Sequence, residues 1–300
     1  MNTLMWEAAR RARLGAMSNL TNNYYGTSRA GKGRRGMVFT LGLAIVILAG
    51  IVAAAVAAPA SHAKPSCGAT IKKSTKLTGD ITGCAGVGLK IGADGITLDL
   101  NGHTVAAADK RNPEAHGILN KGHEGVTIRG GTVSGFGAYG VRLAGADRNV
   151  VENLTLMGNF TGVGLFQSDR GVVLDTKMSG QKFVGINLTG GSGNRVLRNQ
   201  IASTNGYGVF VQSSPAENGR GHRIVGNLLD GNGIAVFPGP RRTKLVANAI
   251  VKSAGDGITA FEPSTVLAGN SVTDSQARGI YAPNGAVDRG GNAARGSGLD

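Results

Sequence analysis

The amino-acid sequence predicts an all-β chain: a parallel β-solenoid of about nine coils with three short strands per coil, preceded by one apolar export or anchor helix. Three observations carry this reading. A Gly followed by a β-branched residue recurs every 22 to 25 residues, the residues after it alternate with period two, and a polar column made mostly of Asn marks one bend of each copy.

The repeat is the strongest of the three. It runs through Gly117-Ile118, Gly140-Val141, Gly162-Val163, Gly185-Ile186, Gly208-Val209, Gly233-Ile234, Gly257-Ile258 and Gly279-Ile280, with an earlier copy at Gly88-Leu89. Pairs such as Val141 and Leu143, or Ile186 and Leu188, alternate over too few residues for a helix and place one face of a short strand in a core. Two more β-like stretches follow in each copy, as at 149–151 and 154–156. The 50 Gly follow no Gly-X-Y period, which excludes collagen, and 41% apolar residues with a mean hydropathy of −0.02 exclude a disordered chain. With 8 Phe, 5 Tyr and 1 Trp the core is filled by aliphatic side chains.

Asn101, Asn153, Asn199, Asn227, Asn248, Asn270 and Asn292 fall between the second and third stretches, with Asp175 in the same series. Asn tolerates the left-handed backbone of a sharp bend, and its amide bonds the same group one coil along, so these residues are assigned to a structural ladder.

Residues 1–36 form a basic leader on the cytoplasmic side. An apolar run from Met37 reaches the small-x-small sequence Ser61-His62-Ala63. Removal after Ala63 gives a secreted protein, and retention gives a signal anchor with the remainder outside the membrane. Residues 1–63 hold seven Arg/Lys against one Glu, which leaves 25 against 17 and a charge of +8 beyond them. For an exported chain that balance points to an acidic glycan or cell-wall polymer, not to nucleic acid. Cys67 and Cys84, in an oxidising compartment, are expected to pair within an N-terminal cap spanning 64–87. The solenoid proper is placed at 88–295, with 296–300 as a tail.

The Gly-Ile/Val-x-Leu strands and the Asn column resemble right-handed parallel β-helix repeat proteins of the pectate lyase-like superfamily, over most of residues 67–295. The segment CGATIKKSTKLTGDITGCAGVGLKIGADGITLDLNGHTV is similar to the amino-terminal portion of secreted bacterial members. The resemblance implies a single-stranded right-handed parallel β-helix whose first sheet lines an elongated polysaccharide groove. It does not fix an activity, because the superfamily includes lyases, hydrolases, epimerases and adhesins.

On that sheet the second and fourth residues after each Gly point outward. Early coils place Lys90, Lys121 and Arg142 there. Later ones place Asn187, Phe210, Gln212, Phe237, Phe261 and Tyr281, with Phe166 between the two groups. Cations suit sugar carboxylates and aromatic faces stack on pyranose rings; a covering loop, tail or second subunit would equally account for the aromatics. Lys121 and Arg142 are the candidate catalytic pair if the sheet carries lyase-like chemistry. Glu124, Asp147 and Asp169, at the turn after the sheet on consecutive coils, form either a Ca²⁺ site or, with Arg148 and Arg170, an ion-pair ladder. The Asn-Thr-Asp, Asp-Asp and Gly-His-Gly motifs expected of a pectin hydrolase of this fold are absent. His116 and His123 are the best-placed acid-base residues. Two functions follow: an exported β-helix that binds and processes an acidic polysaccharide, or a non-enzymatic envelope scaffold or adhesion protein.

Overall fold

A computed structural model describes residues 60–202, 204–213, 217 and 219–298. The leader and the apolar export or anchor segment up to residue 59 lie outside the described residues. Among the described residues every named element is a β-strand, and no helix is long and apolar enough to cross a membrane.

Ten strands, from Ala69–Ile71 to Ile280–Tyr281, form one sheet in coil order, and nineteen others form the second. Each first-sheet strand pairs in parallel with its counterpart in the next coil. Val141 stands opposite Val163, Val163 opposite Ile186, Ile186 opposite Val209 and Val209 opposite Ile234. All five are 0% exposed. Aligned aliphatic columns of this kind make up the core, as the period-two pattern requires.

The recurrent Gly has a steric cause. A Cβ on Gly185 would lie 2.5 Å from the Gly208 carbonyl oxygen and 2.7 Å from Ile201 Cγ2, so the entry to the first sheet packs backbone against backbone. The β-branched residue beside it then turns into the core.

There are ten coils where about nine were expected. The extra one comes from the disulfide-bearing segment, where Ala69–Ile71 pairs with Leu89–Ile91. Cys67 and Cys84 are joined, with Cα atoms 5.4 Å apart. Ser61–Ala63, read from sequence as the end of the export segment, is a strand that pairs with Thr75–Leu77. In coils from Val172 onward the second sheet bends between two strands of two or three residues, whereas Thr127–Ser134 and Val150–Met157 each run as one.

The Asn column divides into two. Asn199, Asn227, Asn248, Asn270 and Asn292 form a continuous ladder, each of the first four donating from Nδ2 to the next Oδ1 at 2.8–3.0 Å. Asn101 and Asn153 stand outside it. They are exposed and sit at the bend itself with φ of 52° and 51°, one residue out of register with the ladder, as does Asp175 at 49°. In later coils the bend residue precedes the Asn, as with Arg198 and Ala247. Further buried amides do the same work at other turns: Asn149 Oδ1 accepts Val126 N–H at 2.6 Å, Asn194 Oδ1 accepts Gly171 N–H at 2.8 Å, and Asn159 Oδ1 accepts Phe136 N–H at 3.0 Å.

Candidate functional site

The outer face of the first sheet carries three zones in axial order. Register separates the early cations into two rows, because Lys90 stands opposite Leu119 while Lys121 stands opposite Ala144. Both lysines are exposed. Arg142 stands opposite Gly164, whose missing side chain leaves room for the rings of Tyr139 and Phe166. The guanidinium carbon lies 5.6 Å and 5.2 Å from those two ring centres. Its Nη1 approaches His116 Nε2 at 3.4 Å. His116 is 4% exposed; burial, then the charges of Arg142 and Lys121, push its pKa down to about 4, so the imidazole is neutral at pH 7. The structure thus brings Arg142 together with His116, Tyr139 and Phe166, while Lys121 stands exposed in the other row.

Hydrogen-bonded polar side chains occupy the middle zone. Thr189 Oγ1 donates to Asn187 Oδ1 at 3.0 Å, and Gln212 Nε2 donates to Thr189 Oγ1 at 3.3 Å. Asn187 is buried, which removes it from the freely accessible set, while Gln212 is half-buried.

The third zone is a continuous row of rings. Tyr207 to Phe210, Phe210 to Phe237, Phe237 to Phe261 and Phe261 to Tyr281 have centres 5.7, 5.0, 5.1 and 6.1 Å apart. Phe210 is only 3% exposed, so its contribution is to hold its neighbours, whereas Phe237, Phe261 and Tyr281 are half-buried. Arg278 closes the row, 3.3 Å above the Tyr281 ring and ion-paired with Asp256 at 3.3 Å. His116, Tyr139, Tyr207 and Arg278 all precede a repeat Gly, and this outward position went unread in the sequence. Aromatic and charged residues recurring just before the Gly were the available signal.

The turn carboxylates are engaged in the stack. Glu124 pairs with Arg148; Asp147 accepts Asp169 N–H at 2.8 Å, and Asp169 accepts Ser192 N–H at 2.7 Å. Among the described residues no group of three His, Cys, Asp or Glu side chains is gathered closely enough to hold a metal ion.

Comparison with known proteins gives a family and a fold. Residues 77–251 match the family described as NosD, periplasmic copper-binding protein. No curated protein matches the chain. Among solved structures it is similar to the catalytic domain of a GH87 α-1,3-glucanase variant in complex with tetrasaccharides, at 12% identity and a TM-score of 0.52, over 78% of this chain and 62% of that domain. It is also similar to an alginate lyase from Paenibacillus sp., at 12% identity and a TM-score of 0.46, over 74% of this chain and 91% of that one. A Streptococcus pneumoniae surface protein and adhesin, PfbA, aligns at 9% identity and a TM-score of 0.38, over 78% and 90% of the two chains. The likeness to the glucanase domain shows the fold, a right-handed parallel β-helix of the pectate lyase-like type. This chain spans under two thirds of that domain's length.

Proposed function

The chain belongs to the NosD family, and from that premise we propose that it is an extracytoplasmic β-helix protein that binds an acidic polysaccharide or cell-wall polymer along its first sheet. The observation that carries the reading is the axial order of that sheet: exposed Lys90 and Lys121, then Arg142, then hydrogen-bonding side chains, then the half-buried rings of Phe237, Phe261 and Tyr281. Cations bind uronate carboxylates, and half-buried rings offer a face to the apolar side of a pyranose. The pairing of Ser61–Ala63 with Thr75–Leu77 speaks against removal after Ala63, which would delete an edge strand.

The family's description includes copper, which favours His, Cys and Met donors. The described residues do not fit it. Both Cys are bonded to each other. His103 and His123 are paired with Asp80 and Asp94, His116 lies against Arg142, His222 is buried apart from them, and Met178 is in the core. No step is therefore routed through copper.

A second reading, lyase action, has one specific observation in its favour: a neutral His116 beside Arg142. β-Elimination from a uronate needs a base for the proton next to the carboxylate and a cation to steady the charge that develops there. Ca²⁺ at Glu124, Asp147 and Asp169 would enter only as an aid to such a reaction.

The test is retention of the purified chain by immobilised polygalacturonate, with and without Phe237→Ala and Phe261→Ala. Loss of retention in the double variant is expected; equal retention would move the ligand off this sheet. Growth of ultraviolet absorbance from unsaturated uronate in the same samples would establish the lyase reading, and its absence would leave binding alone.

A further inference from the structure

Three arginines on the second sheet and its turns are each balanced by a carboxylate from a neighbouring coil. Arg129 pairs with Asp99, Arg148 with Glu124, and Arg198 with Asp175. That alternation is what a solvated solenoid face gains from stacking, since like charges directly opposite one another destabilise a sheet.

One region breaks the rule. Arg195 stands in register with Arg223, and Arg223 with Lys244, giving three successive cations in one column. Successive coils are about 4.8 Å apart. In the turn just before that column, Arg220 stands between Ser192 and Arg241. Beside it Arg170 and Arg242 face each other across Gly193 and Gly221. These two glycines have φ of 68° and 69° and no side chain to fill the space. The result is an open cleft of about 490 Å³ lined by Arg170, Arg220 and Arg242. Its one carboxylate, Asp169, already accepts the Ser192 N–H.

Arg170, Arg195, Arg220, Arg223, Arg242 and Lys244 are all exposed, and none is ion-paired with a carboxylate among the described residues. Stacked, unpaired and flanking a glycine-floored cleft, they cost the fold electrostatic energy that a solubilising surface would avoid.

We propose that this cleft and column form a second ligand surface, separate from the first sheet, for a linear glycan bearing carboxylate or sulfate groups and laid along the solenoid axis. The cations recur once per coil, a spacing comparable to one pyranose residue, so a charged polymer lying along the axis meets a fresh cation at about each sugar. The cleft lined by Arg170, Arg220 and Arg242 takes one anionic group, for which a guanidinium is the fitting partner. A lipid surface fits less well. The exposed large apolar side chains of the described chain are Met157, Leu228 and Val287, and none lies in the cleft or the column, so no apolar anchor accompanies the charge.

The inference does not depend on the first-sheet reading, and the experiment separates them. The full chain, an Arg195→Gln/Arg223→Gln/Lys244→Gln variant and the Phe237→Ala/Phe261→Ala variant are titrated with sodium alginate, dextran sulfate and phosphatidylglycerol vesicles over a range of salt. The triple variant should bind both polymers about tenfold more weakly, each surface charge contact contributing a factor of two to three, and with a shallower salt dependence. Its melting temperature at low ionic strength should equal or exceed that of the parent, because repulsion within the column is relieved. Unchanged polymer affinity in the triple variant overturns the proposal whatever the aromatic variant does. So does a lowered melting temperature, which would mean that the column is held by partners within the fold. Binding of the parent to vesicles but to neither polymer would also overturn it and assign the surface to a membrane.

Discussion

Removing one amide from the Asn ladder should cost far more than removing an Asn from the bend beside it. Asn248 is 1% exposed and makes four side-chain hydrogen bonds: Nδ2 donates to Ile224 O and Asn270 Oδ1, both at 2.9 Å, and Oδ1 accepts Asn227 N–H at 3.1 Å and Asn227 Nδ2 at 2.9 Å. In Asn248→Ala two of the partners keep another bond. Asn227 Nδ2 still donates to Val196 O, and Asn270 Oδ1 still accepts the Asn248 backbone N–H. The Asn227 backbone N–H loses its acceptor and the Ile224 carbonyl loses a donor. At about 1–3 kcal/mol for each buried group left unsatisfied, the loss comes to about 3 kcal/mol. Asn153→Ala, at an exposed bend residue with φ of 51°, forfeits only the tolerance of Asn for left-handed backbone, about 1 kcal/mol. Asn248→Thr should fall between them, because Thr176 fills the equivalent slot and donates from Oγ1 to Leu174 O. Urea unfolding followed by far-ultraviolet circular dichroism measures all three. Equal losses at positions 248 and 153 would refute the division of the column into ladder and bend.

Three more outcomes follow from the same geometry. His222 is fully buried, and neither ring nitrogen has a hydrogen-bond partner; burial pushes its pKa from 6.5 to about 4. Its folded value is lower than its unfolded one, so the stability it supports is present above pH 6.5 and declines as pH falls towards 4, by about 3 kcal/mol. In His222→Asn, which restores the amide found at Asn149 and Asn194, unfolding free energy should vary less over that window; an identical profile would remove His222 as the cause. Reduction of Cys67–Cys84 should cost about 3 kcal/mol of unfolding free energy, and an unchanged denaturation midpoint under reductant would contradict a stabilising role. Because Glu124, Asp147 and Asp169 are engaged by Arg148 and by backbone N–H groups of neighbouring coils, chelator should leave the melting temperature unaltered, whereas a fall of several degrees would favour Ca²⁺ there.

The parts of the fold readable in the sequence were those with a strict steric cause. Gly185 and its equivalents must be Gly because a stacked carbonyl or, at Gly208 and Gly279, a packed side chain fills the place of a Cβ, and the residue that follows must be aliphatic because it enters the core. The first coil escaped notice because Ala69 follows Gly68 where later copies have Ile, Val or Leu, and an edge coil buries less and tolerates the smaller residue. The Asn series misled for a different reason. Left-handed bends and amide ladders favour the same residue, so Asn153 at a bend and Asn199 in the ladder look alike until register places them one residue apart.

Site residues were readable only in part. Alternation placed Lys121, Arg142, Phe237 and Phe261 on the outer face, but not which of them remain accessible. Phe210 is covered through contacts with Tyr207 and Phe237, and Asn187 is buried with its Oδ1 bonded to Thr189. The cleft between Arg170 and Arg242 depends on which turn residues stack across three coil steps, and unequal repeat lengths hide that register in the sequence.

The most direct test of polysaccharide binding is electrophoresis of the full chain through native gels containing polygalacturonate, alginate or neutral dextran. Binding at the first sheet predicts retardation in the two acidic gels and not in dextran, with the acidic retardation reduced by Phe237→Ala/Phe261→Ala. Equal mobility of the folded protein in all three gels would contradict the account and leave the β-helix as a scaffold.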